Sequence, residues 1–124
     1  MSQFSEQEIA YLNTQRLGRL ATIGSDGAPH VVPNSVRYNP ELDTIDLGGL
    51  DMSHTKKWHD VARENRVAVV IDDVLPPWRP RGVEVRGTAE QVMTGGEVFG
   101  SHFGPEMIRI RPTRVISWGV EEQG

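Results

Sequence analysis

The segment Ser53-His54-Thr55-Lys56-Lys57-Trp58-His59-Asp60-Val61 concentrates the most suggestive chemistry in the chain. A hydroxyl at a helix start, the free N–H groups of a first turn and two adjacent lysines can together hold a phosphate. The same residues also fit a plainer role, in which Ser53 only caps the helix and both lysines stay in water. A second cluster, Trp78-Arg79-Pro80-Arg81, offers either an anion contact beside an aromatic wall or an exposed loop with Trp78 tucked against the core. Arg109, Arg111 and Arg114 follow the alternation of Ile108 and Ile110, the pattern of the solvent face of an edge strand. His30, at a strand end, could donate to a ligand, although a structural role is the ordinary one. Among His30, His54, His59 and His102, only His54 and His59 are close in sequence. Five positions along a helix set them about 140° apart, so no metal site is expected. The chain has no G-x-x-x-x-G-K, G-x-G-x-x-G, G-x-S-x-G or H-E-x-x-H motif, and with them go the common phosphate-loop, dinucleotide, serine-hydrolase and zinc-protease chemistries.

Composition narrows the partners. Thirteen Lys and Arg against seventeen Asp and Glu leave a formal charge of −4, with no basic footprint for nucleic acid. Cysteine is absent, which removes disulfides, thiolate metal sites and cysteine nucleophiles together and fits a reducing cytosol. The start, Met1-Ser2-Gln3-Phe4-Ser5-Glu6, is polar and acidic rather than leader-like. The longest aliphatic run, Val67-Ala68-Val69-Val70-Ile71, is far too short to cross a bilayer. A soluble, cytoplasmic protein without a membrane partner is expected. The 124 residues fit a single domain spanning residues 1–124 with its own core.

The elements that must position these residues follow from periodicity and turn chemistry. Ser5 and Glu8 have capping-box spacing ahead of Ile9 and Leu12, which predicts a helix over residues 5–15. Residues 17–23 alternate as a strand, Gly24-Ser25-Asp26-Gly27 is a turn, and residues 30–38 return as the hairpin partner. Pro33 cannot donate to a ladder, so it should mark an edge, a bulge or a gap. A turn at residues 39–43 leads to a short strand over residues 44–48, and Ser53 is placed to cap a second helix ending near residues 64–65. Residues 66–71 are β-branched on both parities, as in a strand buried on both faces. Three of the eight prolines fall in residues 72–81, which predicts a loop or edge segment. Strands are then expected over residues 83–93, around residues 108–111 and over residues 115–118. About six or seven strands with two main helices describe a mainly β protein, a small antiparallel barrel rather than a βαβ fold.

Taken together, several segments resemble the split-barrel superfamily that includes pyridoxamine 5′-phosphate oxidase. They are Leu17-Gly18-Arg19-Leu20-Ala21-Thr22, Asp26-Gly27-x-Pro29-His30-Val31-Val32-Pro33, Tyr38-Asn39-Pro40, Asp43-Thr44-Ile45-Asp46-Leu47-Gly48-Gly49 and Lys56-Lys57-x-x-Asp60-Val61. The match resumes at Trp78-Arg79-Pro80-Arg81-Gly82-Val83-Glu84-Val85-Arg86-Gly87 and at Ile108-Arg109-Ile110-Arg111-Pro112. The segments are most similar to the branch that uses coenzyme F420, a 5-deazaflavin, and includes the oxytetracycline-pathway reductase.

The resemblance implies an FMN-binding type of split barrel, acting as a homodimer with cofactor clefts at the subunit interface. It implies F420, or alternatively FMN, with hydride passing from the reduced cofactor to an unsaturated small organic substrate. Carried onto this chain, the cofactor phosphate would meet Ser53, Lys56 and Lys57. Relatives often have an arginine at the position of Thr55, which makes Lys56 its substitute here. Val32, Pro33, Asn34 and Ser35 would run beside the tricyclic ring near Gly48, with Trp78 and Arg79 contributed by the partner subunit. Ser35 is also a candidate hydroxyl for proton delivery, though no catalytic residue is singled out. Two other functions fit the same fold: an FMN oxidase or reductase of pyridoxamine-phosphate type, and a flavin or haem carrier without turnover.

Overall fold

Ser5 opens the first helix as its spacing predicts. Its hydroxyl accepts from the Glu8 N–H at 3.1 Å, and its own N–H donates to the Glu8 carboxylate at 2.7 Å. In the computed structural model, which describes residues 1–122, this helix is α1 (Glu6–Leu12). It is shorter than expected because the next residues fold into a tight turn, with the Thr14 and Gln15 N–H groups donating to the carbonyls of Tyr11 and Leu12. Six strands follow: β1 (Leu17–Ile23), β2 (Pro29–Asn39), β3 (Thr44–Gly48), β4 (Arg66–Leu75), β5 (Arg79–Val92) and β6 (Met107–Trp118). A second helix, α2 (Lys56–Arg63), joins β3 to β4. The strands close into an antiparallel barrel in the order β1-β2-β3-β6-β5-β4. Among the described residues no helix is long and apolar enough to cross a membrane.

The barrel interior is filled by the alternating apolar residues of every strand. Leu20, Ile45, Leu47, Val69, Val83, Val85, Ile108 and Ile110 are fully buried, as the period-two rule requires. Phe4 packs edge-on to Tyr38 with ring centroids 5.3 Å apart and tacks the N-terminal segment to the barrel.

Four expectations need correction. Residues 72–81 are a hairpin end rather than a loop: β4 and β5 pair continuously from Arg66↔Thr88 to Leu75↔Arg79, and only residues 76–78 turn. Residues 73–75 and 79–81 pair with each other alone, so the edge expectation holds. Proline content misled because Pro80 lies on the ladder opposite Val74 near the hairpin tip, where a missing donor is tolerated. In β4, Val67, Val69 and Ile71 are buried while Ala68 and Val70 are half-buried on the outside, so one face is covered rather than both. The last two expected strands are one strand, β6. Pairing slips by a residue between Arg86 and Gly87, where Pro112 faces Gly87. A Cβ at Gly87 would run into the Arg111 carbonyl, so this bulge needs glycine.

Arg109 is the fourth correction. At Arg109, β6 is paired with β3 on one side and β5 on the other, so there is no free edge there, and Arg109 reaches across to Asp46 rather than to water. Its guanidinium donates to both Asp46 oxygens, at 2.9 and 3.1 Å. Asn39 Nδ2 at 2.9 Å and Thr44 Oγ1 at 3.0 Å complete the shell of this carboxylate, which is 1% exposed. Asn39 also accepts from the N–H groups of Glu41 and Leu42, so the network sets the β2–β3 turn as well. Arg111 and Arg114 remain exposed as expected.

A second buried carboxylate docks α2. Asp60, 2% exposed, accepts from Thr22 Oγ1 of β1 at 3.0 Å, Lys56 Nζ at 3.0 Å and Arg63 at 3.1 Å. Burial alone would raise its pKa, but the hydrogen bonds from Lys56, Arg63 and Thr22 prevail and hold it below the usual aspartate value.

Arg109→Ala strands the Asp46 carboxylate and should cost about 3 kcal/mol or more, read as a fall in the urea midpoint; an unchanged midpoint would contradict this account. Asp60→Asn should cost about 2 kcal/mol at pH 7. A depressed folded pKa contributes stability above the unfolded value of about 3.9, and that stability is lost as pH falls through the folded value. The gap between wild type and Asp60→Asn in urea titrations should therefore narrow from pH 7 to pH 3.

Candidate functional site

β2 is eleven residues long but pairs with β3 only from Ser35 to Asn39. Residues 29–34 pair with β1 alone, so their other side is an open edge. The Val36 N–H donates to the Arg16 carbonyl, and in an antiparallel ladder the backbone groups alternate between sides. Even-numbered residues of β2 therefore bond to β1, while the Val31 N–H and the Val31 and Pro33 carbonyls point out of the open edge. Pro29 and Pro33 both fall on the outward register, where no ladder donor is needed. This settles the three alternatives for Pro33 in favour of an edge.

Asn34 marks where the ladder opens. Its amide donates to the carbonyls of Gly48 at 2.8 Å and Ser35 at 2.9 Å, tying the ends of β2 and β3 together. Gly48 lies under Phe99, and a Cβ there would run into that ring. The Asn34 amide donor and the Gly48 carbonyl are thus spent on holding the strands.

A cavity of about 300 Å³ separates the open edge from the start of α2. His30, Val31 and Val32 form one wall, and Thr55, Lys56 and Lys57 form the other. Thr22 and Asp60 also line it. Ser53 does not. Thr55 rather than Ser53 caps α2, accepting from the Trp58 N–H, while Ser53 sits one turn earlier in a 3₁₀ segment (Met52–His54). The reason is spacing: the cap is the residue immediately before the first helical turn, and that turn begins at Lys56.

The two lysines differ in what they have left to give. Lys56 is committed to Asp60. Lys57 is half-buried, and its ammonium makes no hydrogen bond or ion pair among the described residues. Burial depresses its pKa below the ordinary lysine value, because its ammonium has lost water without gaining an anion. Lys57 is thus a desolvated cation at a cavity that would accept a negative group.

The other sequence candidates lie elsewhere. Ser35 lines a second cavity of about 510 Å³ further along β2. Trp78 is 75% exposed at the β4–β5 hairpin tip rather than tucked against the core, and neither it nor Arg79 lines either cavity. Arg81 is held by Asp73 at 2.7 and 3.0 Å and lies 5.0 Å over the Tyr11 ring. The structure thus brings together Val32, Lys56 and Lys57 with His30 and Thr55, and adds Thr22 and Val31, which sequence reasoning did not place in the site. Thr55 was legible, since it stands three residues before Trp58 at capping distance. Thr22 was not, because its link to Asp60 crosses from β1 to α2.

Comparison with known proteins gives a consistent picture. The chain is 45% identical over 120 residues to the 5a,11a-dehydrotetracycline/5a,11a-dehydrooxytetracycline reductase of Streptomyces rimosus, covering 95% of this chain and 84% of that one. A conserved hypothetical protein of Mycobacterium tuberculosis superposes with a TM-score of 0.74 at 25% identity, over 94% of this chain and 86% of that one. A structure described as an F420 reductase superposes with a TM-score of 0.71 at 21% identity, over 91% and 98%, a likeness of fold. Residues 4–122 match the family described as Pyridoxamine 5′-phosphate oxidase. With the barrel, the curated relative and nearly the whole chain in agreement, the protein belongs to the pyridoxamine 5′-phosphate oxidase family.

Proposed function

We propose that this protein is an oxidoreductase that uses a flavin-type cofactor, a deazaflavin of the F420 kind, to reduce an unsaturated organic substrate. The observation that carries the reading is Lys57, a half-buried cation without an anion, beside an open strand edge. The residues fit such a cofactor on two counts. Lys57 offers a charge for a phosphate, and the Val31 and Pro33 backbone offers a donor and two acceptors for the rim of a planar ring. A bound deazaflavin supplies hydride, and the protein supplies position and exclusion of water. The 45% identity to a reductase supports this direction of chemistry. FMN also joins a phosphate to a planar tricyclic ring, and it is the alternative cofactor for these residues.

A homodimer would complete the site. The outer face across β2, β1 and β4 carries Ala21, Val31, Ala68 and Val70 beside Trp118, with Arg19 and Glu84 at its margin, around a shallow cavity of about 220 Å³. Val31, 68% exposed, lines both this cavity and the one beside Lys57. A second copy covering the apolar face would therefore also close over the groove. The exposed Trp78 and neighbouring Arg79 on the hairpin tip are placed to reach such a partner, in keeping with the resemblance. Ser53, Asn34 and Gly48 then act through position: the first precedes the cap of α2, and the others hold the strand ends.

Fluorescence titration with oxidised F420 and FMN tests the reading. Lys57→Ala should weaken cofactor binding about tenfold or more, the worth of one desolvated charge-assisted contact, with folding unchanged. Lys56→Ala should act mainly on stability, by removing a partner of Asp60. Equal affinity in wild type and Lys57→Ala would sink the phosphate assignment, and tight FMN with weak F420 would move the protein to the flavin alternative. Trp78→Ala should weaken the dimer in sedimentation equilibrium; a monomeric wild type would reject the shared cleft.

A further inference from the structure

The larger cavity, about 510 Å³, lies along the same strand and has a different chemical character. Arg16, after α1, and Arg37, on β2, both line it. Neither guanidinium makes a hydrogen bond or ion pair among the described residues. Several guanidinium groups elsewhere on the barrel surface are matched, as in Arg19–Asp72, Arg86–Glu84 and Arg111–Glu90. No acidic residue lines the cavity. In a chain of formal charge −4, two unmatched arginines without a lining carboxylate form a local positive field.

The opposite wall is aromatic and held in place. Phe99 and Phe103 lie with ring centroids 5.6 Å apart and planes 33° from parallel. Their loop is pinned at both ends, by Gly96 N–H to the Pro105 carbonyl at 2.9 Å and Gly104 N–H to the Gly49 carbonyl at 3.0 Å. Phe99 is pressed onto Gly48, where any side chain would displace it. The walls are therefore built before a ligand arrives. A volume of this size suits a ligand of several fused rings. Arginine favours delocalised planar anions such as carboxylates, which it can hold bidentately, and phenylalanine favours aromatic faces.

We propose that this cavity binds a planar aromatic anion, an aromatic acid or acidic enol, with Arg16 and Arg37 as the charge contacts and Phe99 and Phe103 as the apolar wall. That the anion is the substrate rests on the reductase reading; the binding itself does not. Position agrees with that role. From Val32, beside Lys57, to Ser35, at this cavity, is three residues, about 10 Å along a strand, and the outward-facing backbone of Pro33 lies between. The order along β2 is then phosphate end, ring edge and substrate end, with the Ser35 hydroxyl at the junction.

The test uses 1-hydroxy-2-naphthoate as a fluorescent anionic probe and 1-naphthol as its neutral counterpart at pH 7, titrated into the full-length protein. The naphthoate should bind saturably and at least tenfold tighter than the naphthol. Arg37→Gln should lose about tenfold, and Arg16→Gln/Arg37→Gln should fall to the naphthol level. Both variants should retain the wild-type circular dichroism spectrum, since these side chains hold nothing in the fold, and wild-type affinity for F420. Equal binding of the two probes, naphthoate affinity unchanged in the double variant, or naphthoate affinity lost in Lys57→Ala instead would each overturn the proposal. So would a loss of F420 affinity in the double variant as large as in Lys57→Ala, which would assign the arginines to the cofactor. Absence of F420 and FMN binding in the wild type, with naphthoate binding and its arginine dependence intact, would count against the reductase reading alone and leave this site standing.

Discussion

The β2–β3 ladder stops at Ser35, and the groove depends on that stop. A strand whose second side is unpaired leaves donors and acceptors that must find a partner or water. Here the unpaired side carries Pro29 and Pro33 in the outward register, which removes two of the donors and discourages another strand from completing the sheet. Asn34 then fastens the end of the ladder by bonding to Gly48 and Ser35. What remains is a short exposed run of backbone facing the start of α2, rigid because its other side is fully paired with β1. A ligand can use that run where a strand cannot.

Two buried carboxylates keep this geometry from relaxing. Asp46 joins β3 to β6 through Arg109 and reaches the β2–β3 turn through Asn39, so the strand beside the opening cannot drift. Asp60 joins α2 to β1 through Thr22, fixing the far wall of the smaller cavity. Each is surrounded by donors, as a buried charge must be. The same economy sorts the cations. Arg109, Arg63 and Lys56 neutralise a buried carboxylate and hold the barrel, whereas Lys57, Arg16 and Arg37 line cavities without an ion pair among the described residues. Of the adjacent pair, Lys56 takes Asp60, four residues on along α2, and Lys57 does not.

Much of this architecture could be read from residue order. The capping box at Ser5 and Glu8, the hairpin turn at Asp26-Gly27 and the alternation through β1, β5 and β6 are local signals with local causes. They suffice for a mainly β barrel with two helices. The errors came where local chemistry was overruled by pairing. Proline-rich residues 72–81 continue a ladder because two prolines sit in the tip and Pro80 lies just beside it. Arg109 looked solvent-facing because alternation reveals which side of a sheet a residue is on, not what covers that side.

The site divides in the same way. Sequence alone determined that Lys56 and Lys57 stand at a helix start and that Pro33 interrupts a strand's hydrogen-bonding capacity, because both follow from residues a few positions apart. Only the tertiary structure decided that Lys57 is the unmatched cation, that Ser53 lies outside the cavity, and that Arg16 and Arg37 share a wall with Phe99 and Phe103. Those facts depend on contacts between residues tens of positions apart, such as Thr22 with Asp60 and Phe99 with Gly48. The closure of the barrel sets such distances, and no short-range pattern encodes them.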